Sequence, residues 1–113
     1  MPIEVNGNSL ETDYENFLVE PRDWNEDVAK EYARLEEIEL TETHWKVLNF
    51  MRAYYNEHLT PADVRHTTKF LVNELGLAKK DAKKRLFDLF PYGYVKQACK
   101  ISGMRKPRMW STG

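Results

Sequence analysis

The sequence holds one cysteine, Cys99. A single thiol cannot close an intrachain disulfide and does not hold a metal unaided, so any chemistry it performs needs a second molecule. The thiolate is the reactive form, and nearby cations favour it. Lys96 would share a helix face with Cys99 three residues on, and Lys100 is adjacent. Opposing this, Cys99 falls in the last turn of a helix, where the negative end of the macrodipole disfavours an anion. The two effects are similar in size. Free cysteine is also among the residues most often packed as a small hydrophobe, so the local pattern leaves Cys99 open to either reading, reactive or buried.

Other chemistry is thin. His44, His58 and His66 have no Cys or carboxylate partner at metal-ligand spacing, so no metal is expected. A Cys–His pair for nucleophilic catalysis has no motif behind it. Neither a glycine-rich phosphate loop nor a paired-carboxylate arrangement is present, and no cofactor is expected. One further pattern stands out. A helix over 61–75, the turn Gly76-Leu77-Ala78 and a lysine-rich helix resemble a helix-turn-helix. There Lys79, Lys80, Lys83, Lys84 and Arg85 would meet phosphates of DNA, although that helix lacks the Asn or Gln that reads base edges.

The elements that must position these residues follow from periodicity. Ile3-Glu4-Val5, Asn6-Gly7 and residues 8–12 predict a β-hairpin, because Asn-Gly supplies the positive φ angles of a type I′ turn. Phe17-Leu18-Val19 is a candidate third strand, ended by Pro21. Helical spacing begins at Asp23, the expected cap, with Trp24, Val28, Tyr32 and Leu35 recurring. A second helix over 41–57 places Trp45, Leu48, Met51, Arg52 and Tyr55 on one face, widened by Val47, Phe50 and Tyr54, and is expected to be largely buried. Thr60-Pro61 predicts the start of the third helix and Gly76 its end. A fourth runs from Lys79 to Leu89 with Ala82, Leu86 and Leu89 inward. A last short helix runs from Gly93 through Ile101. The fold class is mainly α (α+β): a small bundle of about five helices with an N-terminal hairpin. Residues 1–113 form one domain, with a hairpin region over 1–20, a helical core over 23–102 and a mobile C-terminal arm over 103–113.

Composition supports a single soluble domain. At 113 residues with 31% charged side chains and three Trp, six Tyr and five Phe, the chain can bury one core without staples. No run reaches the length of a membrane span, and Met1-Pro2-Ile3-Glu4 lacks the features of a signal peptide, so a cytoplasmic protein with a reduced thiol is expected. Net charge is −1, but residues 1–78 carry 7 Lys/Arg against 16 Asp/Glu, whereas residues 79–113 carry 10 against 2. That polarity fits either an acidic partner for the C-terminal third or mutual neutralisation within the fold.

Trp24-Asn25-Glu26-Asp27-Val28-Ala29, Leu40-Thr41-Glu42-Thr43-His44-Trp45, Leu89-Phe90-Pro91 with Gly93, Lys96-Gln97-Ala98-Cys99-Lys100, and Gly103-Met104 with Lys106-Pro107 occur in an order that spans nearly the whole chain. Together they resemble the family of the dissimilatory sulfite reductase gamma subunit DsrC and the tRNA-thiolation relay protein TusE. The resemblance implies a mainly helical fold with an N-terminal hairpin and a carrier of sulfur, not an independent enzyme. An arm cysteine would take sulfur as a persulfide and enter a partner's active site. Lys96, Lys100, Arg105, Lys106 and Arg108 would guide the arm toward a sulfur donor or acceptor protein. The sequence departs from the family where its principal, next-to-last cysteine stands: the matching position is Trp110. Cys99 matches the upstream cysteine of DsrC-type members.

Three readings follow. In the first, Cys99 alone bears sulfur or forms a mixed disulfide with a partner. In the second, the protein is a regulatory homologue that binds DNA, with Cys99 a sensor or structural thiol. In the third, it docks on a partner without thiol chemistry, using Trp110 as an apolar anchor. A monomer is expected in each.

Overall fold

A computed structural model describes residues 2–107. Strands β1 (Ile3–Val5) and β2 (Asn8–Leu10) form an antiparallel hairpin with Ile3 opposite Leu10 and Val5 opposite Asn8. Asn6 and Gly7 turn it at φ 52° and 80°, as Asn-Gly requires. Ile3 and Val5 face the core. The hairpin is shorter than expected, and residues 17–19 add no third strand. Only a single bridge joins Thr12 to Leu18. The Asp13 carboxylate accepts the amides of Glu15 and Phe17 at 2.9 and 3.0 Å, closing a tight loop in place of a strand ladder.

Four α-helices follow: α1 (Glu26–Leu35), α2 (Glu42–His58), α3 (Val64–Leu75) and α4 (Lys79–Leu89). Two starts differ from the sequence reading. Asp23 belongs to a 3-10 turn over Pro21–Asp23, and Asn25 caps α1 by accepting the Val28 amide at 3.0 Å. Asp63, not Thr60, caps α3, accepting the His66 amide at 3.0 Å. The preceding residue, Ala62, is fully buried and its carbonyl accepts the Tyr94 hydroxyl, which holds that stretch outside the helix. Gly76 ends α3 at φ 65°. Thr41 caps α2.

The core lies between the buried faces of the four helices, the hairpin and the C-terminal segment. Val28, Ala29 and Tyr32 come from α1, Val47, Leu48 and Met51 from α2, Leu71 from α3, and Ala82 and Leu86 from α4. Trp45, Arg52 and Tyr55 are only half-buried, so the inner stripe of α2 is narrower than its apolar pattern suggests. Each fully buried Leu or Met stabilises the fold by ~1.5–3 kcal/mol. The chain then turns at Phe90–Gly93 into a π-helix over Tyr94–Cys99, continued by Lys100 and Ile101. Among the described residues no helix is long and apolar enough to cross a membrane.

Candidate functional site

Cys99 sits at the end of the π-helix, at the root of the C-terminal stretch. Three anchors fix that segment. Tyr94 is fully buried, with its hydroxyl donating to Ala62 and receiving the Thr67 hydroxyl at 2.7 Å. Gln97, also fully buried, accepts the Tyr92 amide at 2.9 Å and donates to Glu36 at 3.2 Å. The Cys99 carbonyl accepts the Met104 amide at 2.9 Å and the Ser102 hydroxyl at 3.1 Å.

A second set of contacts ties the root to the N-terminal half. Trp24 donates its indole N–H to Ile101 O at 2.8 Å. Arg52 reaches from α2 to Ser102 O at 3.1 Å and Pro21 O at 3.0 Å, its guanidinium 4.7 Å from the Trp24 ring centre. Gly103 has φ 79°, and a Cβ there would run into the Trp24 side chain. Glycine is therefore required where the chain leaves the core.

The consequence for the thiol is plain. Cys99 is 0% exposed, and burial alone pushes its pKa far up. The lysines expected to favour a thiolate do not serve it. Lys96 is exposed, and the Lys100 ammonium lies over the Phe17 ring at 4.9 Å. In this conformation Cys99 is a neutral core thiol, one of the two outcomes that its local pattern left open.

The other expected arm residues are held apart from it. Arg105 donates Nε–H to Val19 O at 2.8 Å, and Lys106 Nζ pairs with the Glu15 carboxylate at 2.6 and 2.9 Å. Both lie on the loop over 12–20 and are exposed. Arg108 and Trp110 lie outside the described residues. On α4, Lys79, Lys80, Lys83 and Lys84 line one shallow hollow with Phe87, while Arg85 is exposed elsewhere on the helix.

His44 does bond locally, as a helix start suggests, and also across the fold. Its Nδ1 accepts the Thr41 amide at 3.0 Å, so the proton resides on Nε2, which donates to Leu89 O at 2.8 Å. Burial lowers its pKa, partly offset by the Leu89 bond. Among the described residues no cluster of His, Cys, Asp or Glu could hold a metal. Arg52 and Gln97 are the positioning residues that sequence reading missed. The one available signal was a charged side chain inside the apolar stripe of α2.

The likeness to known proteins spans nearly the whole chain. The family model of DsrC-like proteins matches residues 4–109. The chain is 42% identical over 105 residues to the sulfurtransferase TusE homolog of Haemophilus influenzae, covering 93% of this chain and 95% of that protein. It is likewise 42% identical to sulfurtransferase TusE of Sodalis glossinidius, covering 93% and 96%. The oxidized gamma-subunit of the dissimilatory sulfite reductase, DsrC, from Archaeoglobus fulgidus superposes with a TM-score of 0.83 at 33% identity, covering 97% of this chain and 99% of that one. Allochromatium vinosum DsrC gives 0.83 at 40% identity, covering 96% of each.

Proposed function

Because the chain belongs to the DsrC-like family, we propose that it serves a sulfur relay as a carrier whose single thiol, Cys99, is gated by the fold. The observation behind this reading is that the only cysteine of the chain is fully buried at the root of its C-terminal stretch. The relatives named sulfurtransferase support the sulfur chemistry. Trp110, where the family has its principal cysteine, leaves Cys99 to bear the sulfur.

The step is a thiol–persulfide exchange. Cys99 loses its proton on exposure, and the thiolate attacks the outer sulfur of a donor persulfide. The donor's S–S bond breaks, a new S–S bond forms on Cys99, and the donor leaves as a thiolate with no net change in oxidation state. Opening must come first, because the buried form holds its proton. Lys96, Lys100, Arg105 and Lys106, with Arg108 and Trp110 beyond them, are the residues proposed to meet the donor or acceptor protein. Among the described residues Arg105 and Lys106 are exposed and bonded to the loop over 12–20, from which a partner with acidic groups would draw them.

The burial of Cys99 also favours a second reading, in which the chain docks on a relay protein through Trp110 and the thiol is structural. The lysine face of α4 carries no Asn or Gln, the side chains that read adenine edges. Intact mass after incubation with a persulfide-bearing sulfurtransferase separates the two. The carrier reading predicts one added sulfur on the wild type and none on Cys99→Ser. If no sulfur is added, and removal of residues 109–113 abolishes partner capture while Cys99→Ser retains it, docking is the function.

A further inference from the structure

Far in sequence from Cys99, α2 and α3 build a different kind of surface. Tyr54 contacts two imidazoles, its ring centre 4.2 Å from that of His58 and 5.0 Å from that of His66, at interplanar angles of 36° and 33°. Beside them Phe50 and Phe70 stack at 4.5 Å and 18°. These rings border an open hollow of ≈ 500 Å³, within the roughly 300–1,000 Å³ usual for small-molecule sites. Glu57 and Glu74 line it with Lys69, so it suits a flat heteroaromatic ring carrying hydrogen-bond donors.

A second hollow of ≈ 460 Å³ adjoins it, sharing His66, Lys69 and Asn73. Its charges are of the opposite kind. Arg65, Lys69 and Lys79 border it, and no carboxylate does. Arg65 is engaged with Asp63 at 3.1 Å.

We propose that the α2–α3 face is a nucleotide site, in which a base stacks in the Tyr54–His58–His66 hollow and its phosphate lies in the Arg65–Lys69–Lys79 hollow. Aromatic faces accept any base, and adjacent cations hold the phosphate. The ligand is a nucleoside monophosphate unit, free or unpaired within a strand. The site involves neither Cys99 nor the C-terminal stretch, so its fate is independent of the relay reading.

Titration of the isotopically labelled full chain by NMR tests this, using adenosine monophosphate, adenosine, inorganic phosphate and a short single-stranded oligoadenylate. Adenosine monophosphate is expected to shift the ring resonances of Tyr54, His58 and His66 and the amides around Lys69. Adenosine or phosphate alone should bind at least about tenfold more weakly. Tyr54→Leu, which keeps apolar bulk, should weaken the monophosphate about tenfold. Lys69→Gln should weaken it severalfold without loss of fold and reduce its salt dependence. Tighter binding of the oligonucleotide assigns the site to strands; equal or weaker binding assigns it to free nucleotides. The proposal is overturned if neither nucleotide form shifts these resonances, if phosphate alone reproduces the shifts, or if Tyr54→Leu leaves affinity unchanged.

Discussion

The root of the C-terminal stretch and the α2–α3 face handle polar groups in opposite ways. At the root, the polar groups are paired internally: Arg52 bonds Ser102 and Pro21, Trp24 bonds Ile101, and Gln97 bonds Tyr92 and Glu36. The thiol they enclose has no access. On the α2–α3 face, the rings of Tyr54, His58 and His66 line an open hollow, and Arg65, Lys69 and Lys79 border the one beside it. The first region is closed to solvent, and the second is open to it. Substitutions at the root should therefore cost stability, and those on the face should cost binding.

The largest expected effect is Gly103→Ala, which combines a positive φ with collision against Trp24. A loss of ~3 kcal/mol or more in denaturant unfolding is expected. A loss under about 1 kcal/mol would mean that the root is loose. Arg52→Ala comes next. It removes the donor from Ser102 O, one of two donors from Pro21 O, which keeps the Trp24 amide, and the cation over Trp24, for an expected ~2 kcal/mol by the same measurement.

Titration gives a subtler contrast. The folded pKa of Cys99 lies above its unfolded value of ~8.5, so at higher pH the unfolded chain releases a proton that the folded chain keeps. Stability should fall as pH rises past ~8.5, by up to about 1.4 kcal/mol per unit, and Cys99→Ala should remove that part of the slope. Tyr32 and Tyr94, also raised by burial, add their own loss from ~10 upward. His44 works in the other direction. Its folded pKa is depressed, so stability present above ~6.5 is lost as pH falls below it. Equilibrium unfolding across pH 5–10 reads both limbs. The smallest effect belongs to the face: Lys69→Gln should change stability by no more than ~0.5 kcal/mol.

Much of this fold was legible in the sequence, for local reasons. Asn6-Gly7 set the hairpin, Gly76 the end of α3, and the 3.6-residue spacing of Ala82, Leu86 and Leu89 the inner face of α4. Helix starts were less legible, because several capping residues compete and tertiary contacts choose among them. Pro21 draws Asp23 into a 3-10 turn, and the Tyr94 hydroxyl on Ala62 moves the start of α3 to Asp63. The state of Cys99 was not readable from its neighbours. Charges on Lys96 and Lys100 are local, whereas the desolvation that raises the thiol comes from packing against distant segments. The stacking of Tyr54 with His66 was hidden for the same reason, since it joins two helices.

The gate on Cys99 is tested most directly by the rate at which a small thiol reagent modifies it. The account predicts that wild-type protein at neutral pH reacts orders of magnitude more slowly than the denatured chain. It also predicts that Arg52→Ala speeds the reaction in proportion to the stability it removes, because opening governs exposure. Modification of the folded wild type at the rate of the denatured chain, unchanged by Arg52→Ala, would contradict it.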